Sequence, residues 1–234
     1  MTEAGEIAAL TRRIGDLERR LAVTEDIAAV RRLQFTYGYF MDKCLWQEVV
    51  DLFAEDGELR FMGAIWRGRA SIARLYVGRI GGNFTKGHNG PIDGLLTEYP
   101  QMQDVIDILP DGKTALGRFR YLQMAGSHVT NADPSPYLPQ QWWEAGTYEN
   151  TYVKDNGVWK IRVLGHQLSW QADYQTGWRY SPPAIGGSRT LYPADPFGPD
   201  EIMPESPAVW PKASIQPFHY LHPVTGKPVW PGTK

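Results

Sequence analysis

A tyrosine inside an apolar helix stripe and a carboxylate at that helix's end are the first chemical signals in this sequence. In the stretch "FTYGYFMDKCLWQEVVDLFAEDGELRF", residues 35–61, Tyr37 falls among Val30, Leu33 and Met41. At about 100° per residue, Asp42 projects about 120° from Val30, on the side of Phe35 and Gly38. Gly38 contributes no side chain, which leaves room for something to approach the carboxylate. Asp42 could then move a proton; the bland alternative is that Tyr37 packs and Asp42 caps the helix. Ile72, Leu75, Tyr76 and Arg79 follow an i, i+3, i+4, i+7 course, which puts a guanidinium on a buried face. A charge buried there needs a carboxylate or a ligand oxyanion, unless its stem packs and its head reaches water. "TKGHNG" gathers Lys86, His88 and Asn89 in a glycine-flanked loop, where a cation and an imidazole could meet one ligand or simply face solvent.

The strands add a second set. In "TALGRFRYLQM", Ala115, Gly117, Phe119, Tyr121 and Gln123 share one face, suited to a pocket wall from which Tyr121 could donate to a substrate oxygen. Tyr148 and Asn150 alternate with Glu149 on the next strand, and His166 and Trp170 close the last one. These residues, with Tyr37, Phe119 and Asn89, form the candidate binding set, although His166 also fits a hydrogen-bonded structural role. There is no G-x-S-x-G elbow, phosphate loop or dinucleotide fingerprint. His219 and His222 lack a nearby cysteine or carboxylate to complete a metal set, and Cys44 fits a space-filling role. No metal or other cofactor is expected.

The elements that must position these groups read as α+β. Ile7, Leu10, Ile14, Leu17 and Leu21 form a short heptad seam flanked by Arg12, Arg13, Glu18 and Arg19, which needs either its own domain or another subunit to cover it. A second helix is expected from a Thr24 cap, a third around Trp46 to Phe53, and a fourth over "GRASIARLYVGRIGG", stopped by its glycines. From residue 101 the pattern turns to strands, paired across "PDGK" and "DNG" turns whose residues tolerate positive φ. Residues 1–23 read as an amphipathic helix, 24–174 as the domain, and 175–234 as a Pro- and aromatic-rich extension that wraps a neighbouring surface.

Composition narrows the partners. A net charge of -2 and a pI near 6.2 give no general attraction to nucleic acid or anionic lipid. The apolar runs are too short to span a bilayer, the N-terminus lacks the order of a signal peptide, and the single cysteine excludes an internal disulfide; a cytoplasmic protein is expected. Nine Trp, twelve Tyr and eight Phe exceed what a core of this size needs and point to an aromatic-lined concavity.

The ordered segments "TEDIAAVRRLQFTYGYFMDKCLWQEVVDLFAEDGELRF", "WRGRASIARLY", "ILPDGKTALGRFRY" and "GTYENTYVKDNGVWKI" resemble the nuclear transport factor 2-like superfamily, in its SnoaL-like branch, over about residues 24–170. The resemblance implies a cone in which a curved antiparallel sheet wraps three helices around one deep pocket. It also implies relatives that act on hydroxylated rings without cofactor, together with non-catalytic members. Asp42 occupies the "D-x-x-x-W" position that belongs to the active site in the dehydratases. His88 is the nearest candidate for their histidine, which lies closer to the positions of Pro100 and Gln101. The similarity extends to bacterial diarylpropane lyases, implying a cofactor-free lyase that takes a lignin-derived diaryl-propanediol to a stilbene, water and formaldehyde. In that scheme Arg79, Lys86 and Tyr121 hold oxygens while Asp42 and His88 share the proton transfers. A polyketide or steroid dehydratase and a binding subunit are the alternatives, and a homo-oligomer, trimer or dimer, is expected.

Overall fold

The computed structural model describes residues 3–181, 187–204 and 208–229. Helix α1 runs unbroken from Glu3 to Asp42, where the sequence suggested two helices. Thr24 does not cap a new helix: its hydroxyl donates to the Arg20 carbonyl at 3.0 Å, satisfying itself inside the helix. The first half of α1 stands away from the domain, with Ile7, Leu10, Ile14, Leu17 and Leu21 each more than half exposed. The seam therefore does not lie on its own domain. The second half docks through Val30, Gln34, Tyr37 and Gly38, and Trp159 donates its indole N–H to Asp26 at 2.9 Å. At Gly38 a Cβ would lie 2.7 Å from the Gln101 Cγ and 3.0 Å from the Tyr99 carbonyl oxygen. The bare backbone at Gly38 is thus used by the chain crossing at Tyr99 and Gln101.

Short helix α2 (Trp46–Asp51) leads into β1 (Phe53–Phe61) and β2 (Ala64–Arg67), a strand the sequence reading missed. Helix α3 (Arg69–Ala73) continues through a π-helical segment (Arg74–Ile80) into α4 (Gly81–Thr85). The glycines do not stop it; the turn comes at Lys86, whose φ of 54° is left-handed. β3 (Leu95–Glu98), β4 (Gln101–Ile108), β5 (Thr114–Ser127), β6 (Gln141–Asp155) and β7 (Val158–Asp173) complete the main sheet. The two expected hairpins are present, with Gly112, Asn156 and Gly157 at positive φ in their turns. With β8 (Glu201–Ile202) of the extension, the order is β3-β5-β6-β7-β1-β2-β8, with β4 also on β5; all pairs are antiparallel except β1 with β7. Register shifts in β6 and β7 at Ala145/Gly146 and Thr151/Tyr152 help bend the longest strands. The result is the expected cone: a curved, unclosed sheet around the docked half of α1, α2 and the helix spanning 69–85.

The extension wraps the domain over its described residues. α5 (Gly177–Tyr180) follows β7, and β8 (Glu201–Ile202) pairs with β2. Asp200 accepts the Arg67 backbone N–H at 2.7 Å and the Ser71 hydroxyl, and pairs with Arg74 at 2.5 Å. Further on, Arg118 donates to the carbonyls of Gln216 and Pro217, and His219 sits between Glu149 and Asp107. Residues 182–186, 205–207 and 230–234 of the expected wrap lie outside the described residues. No helix among those described is long and apolar enough to cross a membrane.

Candidate functional site

The cone encloses a cavity of about 350 Å³. Its walls come from α1 (Tyr37, Met41), the 69–85 helix (Tyr76, Arg79, Asn83) and the sheet (Gln123, Glu144, Gln171), with Tyr137, Leu138 and Pro139 of the β5–β6 loop across the mouth. Register explains the polar wall. Gln123 on β5 stands opposite Glu144 on β6, which stands opposite Gln171 on β7, so three polar side chains cross the sheet in one row.

Glu144 carries the strongest chemical signal. Its carboxylate accepts from the Gln171 amide at 3.0 Å and from the Tyr121 hydroxyl at 3.4 Å, and burial pushes its pKa up to about 6. A carboxyl so placed can both give and take a proton near neutrality. Sequence reasoning passed over it, although strand parity points to it: Glu144 is four residues from Tyr148 and six from Asn150, on the same face of β6.

Tyr121 links Glu144 to His166, whose Nε2 lies 2.7 Å from the Tyr121 hydroxyl. Burial pushes the His166 ring down to about 3, so it is neutral, and its Nδ1 has no hydrogen-bond partner among the described residues. An orphaned acceptor is more easily tolerated than an orphaned N–H. With the ring proton on Nε2, His166 donates to Tyr121 and leaves the Tyr121 O–H to donate to Glu144.

A second chain of phenols borders the cavity. The hydroxyls of Tyr76 and Tyr37 are 2.9 Å apart, those of Tyr37 and Tyr148 3.4 Å, and those of Tyr148 and Tyr99 2.7 Å. Four hydroxyls supply four protons to three contacts, so one O–H remains to donate elsewhere, and three of the four phenols, Tyr37, Tyr76 and Tyr99, line the cavity. Burial raises all four phenols well above their ordinary range, so they act as neutral donors. Tyr99 stacks on Tyr121, centroids 4.9 Å apart, which brings the two networks together.

The other sequence candidates separate. Arg79 lines the cavity and meets its expected carboxylate, Asp195 of the extension. Asp42 lies beyond Tyr99 in a distinct groove, with Phe35, Glu98 and Gln101; it accepts the Tyr99 backbone N–H, and burial raises its pKa. The "TKGHNG" loop is exposed and does not reach the cavity. Lys86 pairs with Asp133, His88 points to solvent, and Asn89 accepts the Gln47 backbone N–H at 3.0 Å while donating to Glu48 at 2.9 Å, an anchor for the start of α2. Phe119 packs edge-on to Phe35 in the core, and Asn150 donates to Gln34 and accepts from the Gly165 N–H. Trp170 packs against Trp178 outside the cavity. Burial pushes Cys44 up to about 12, which suits a space filler. No group of residues able to hold a metal ion occurs among those described.

Residues 22–164 match the sequence profile of the SnoaL-like domain. No curated protein matches the chain. Among solved structures, a proposed scytalone dehydratase from Novosphingobium aromaticivorans DSM 12444 is similar at 22% identity and a TM-score of 0.52, over 72% of this chain and 97% of that one. A type 2 hexachlorocyclohexane dehydrochlorinase (LinA) is similar at 17% identity and a TM-score of 0.53, over 71% and 99%. The type 3 LinA from Novosphingobium barchaimii LL02 is similar at 15% identity and a TM-score of 0.51, over 73% and 98%. At these identities the likeness is one of fold.

Proposed function

The chain belongs to the SnoaL-like family, and from that premise we propose that it is a cofactor-independent lyase of a hydroxylated aromatic compound, with Glu144 as its general acid and base. The supporting observation is a carboxyl at about pH 6 on the wall of an aromatic cavity that also holds a spare phenolic donor. The finer reading is a phenolic diaryl-propanediol as substrate. Protonated Glu144 gives its proton to the departing benzylic hydroxyl, which leaves as water while the para-phenol releases its own proton to solvent, forming a quinone methide. The Glu144 carboxylate then takes the proton of the terminal hydroxyl. The carbon–carbon bond breaks, its electron pair returns to the ring, and formaldehyde and a stilbene phenolate result. The cycle is redox-neutral and returns Glu144 to its starting state. In this reading the spare phenol and Arg79, both on the cavity wall, hold the ring oxygen as it gains charge.

The test is to incubate the protein with a panel of phenolic diaryl-propanediols and follow formaldehyde and stilbene absorption together. Their joint appearance supports the reading. Loss of water alone places the chemistry with dehydratases, and inertness across the panel overturns the diaryl substrate. Tyr121→Phe removes the hydroxyl between Glu144 and His166 while keeping the ring stack. It should lower kcat by about tenfold with KM little changed, and shift the acidic limb of the pH–rate profile upward, because Glu144 loses a donor to its ionised form.

A further inference from the structure

We propose that the projecting half of α1 is the dimerisation element of this protein, pairing with the same segment of a second copy as a parallel two-stranded coiled coil. Three observations carry this. The seam Ile7, Leu10, Ile14, Leu17, Leu21 is exposed by 51–59% per residue, although it lies on a helix already held rigid by its docked half. Its orientation is also set by the fold. With Ile7 at heptad position a, the residues that anchor α1 to its own domain, Asp26, Val30, Leu33 and Tyr37, fall at f and c, on the side opposite the seam. A partner can therefore approach from the free side without meeting the cone.

The flanking charges choose the occupant. Positions g hold Glu6, Arg13 and Arg20, and positions e hold Thr11, Glu18 and Glu25, so the opposite charges face each other over the last two heptads of the seam. In a parallel pair of identical helices each g residue faces the e residue five positions further along its partner, giving Arg13–Glu18 and Arg20–Glu25 across the interface in both directions. An antiparallel pair would instead set g against g, and so Arg13 against Arg20 of its partner, and would leave Glu18 facing Thr11. None of Arg13, Glu18, Arg20 and Glu25 makes an ion pair among the described residues, whereas Arg19, on the outer face, pairs with Asp16 within the helix at 2.8 Å. Isoleucine at two a positions with leucine at both d positions favours two strands. The seam fades at Thr24 and Ala28, where the opposite face begins to dock. Because folding of the domain has already formed the helix, this short seam does not bear the cost of helix nucleation on association.

The test measures the molar mass of the full chain by sedimentation equilibrium across a wide concentration range. The expected value is twice 26.4 kDa. Ile14→Lys should give a monomer whose thermal transition and far-ultraviolet dichroism remain those of a folded domain. Arg13→Glu with Arg20→Glu should weaken association by at least about tenfold, and adding Glu18→Arg with Glu25→Arg should restore it. For direction, Leu10→Cys should form a disulfide-linked dimer on mild oxidation, since like positions meet only in a parallel pair; native Cys44, 1% exposed, does not compete. A monomer at every concentration, a trimer, a dimer unaffected by Ile14→Lys, or failure of Leu10→Cys to cross-link would each overturn the proposal.

Discussion

Glu144→Gln is expected to lower turnover by about a hundredfold or more while leaving the fold intact, because Gln keeps the shape and can still meet Gln171 and Tyr121. In the parent the base-dependent step should rise through about pH 6, where Glu144 ionises, and that limb should vanish in the variant. Stability should move the other way. The carboxyl titrates at about 6 when folded against an ordinary 4.5, so between those values the folded state holds more protons than the unfolded one. Stability then falls as pH rises through that window, and by neutrality the buried carboxylate costs up to about 2 kcal/mol. Glu144→Gln should therefore melt higher than the parent at pH 7, with the advantage gone below pH 4.5. Asp42→Asn is the companion measurement. The sequence alone leads one to expect a loss of about a hundredfold or more, but Asp42 holds the Tyr99 backbone from outside the cavity, so a loss of only several-fold is expected. If Asp42→Asn inactivates while Glu144→Gln does not, the assignment to Glu144 fails.

Gly146→Ala should be among the most destabilising single substitutions in the sheet. Gly146 lies at a register shift of β6, where an added Cβ would come 2.0 Å from the Gln167 carbonyl oxygen and 2.8 Å from the Tyr121 ring. The first neighbour is backbone of the adjacent strand, which cannot retreat without breaking the ladder, and the second belongs to the Glu144 network. Overpacking of this kind costs about 3 kcal/mol, equivalent to a fall in Tm of roughly 10 °C for a chain of this size. Gly82→Ala is the control: nothing lies within 4 Å of its Cβ position on α4, so it should be neutral or slightly stabilising. Equal melting temperatures for the two variants would contradict the crowding at Gly146.

Much of the cone was legible because its cues are local. The Asp-Gly and Asn-Gly turns set the β4–β5 and β6–β7 hairpins, and alternation placed Phe119, Tyr121 and Gln123 on the inner face. What stayed hidden depends on long-range crossings. That Tyr99 stands between Asp42 and the cavity follows from a strand passing over Gly38, which no pattern around residue 42 reveals. Lys86, His88 and Asn89 have chemically apt side chains, yet their loop spends them on Asp133, on solvent and on the start of α2. Thr24 offered a local cap that the uninterrupted α1 did not use. Composition announced an adherent extension but not its anchors, because Asp195 and Asp200 look ordinary in a proline-rich stretch until Arg79 and Arg74 are seen to meet them.

The phenol networks also make the protein its own reporter of opening. Burial lifts Tyr37, Tyr76, Tyr99, Tyr121, Tyr148 and Tyr152, six of the twelve tyrosines, well above the ordinary phenol range. Their ionisation is strongly disfavoured while the cone is closed. In an alkaline titration followed by phenolate absorbance, the final part of the signal should arrive as one cooperative, time-dependent step coincident with loss of the near-ultraviolet dichroism. That step reads the opening of the cavity wall without any label.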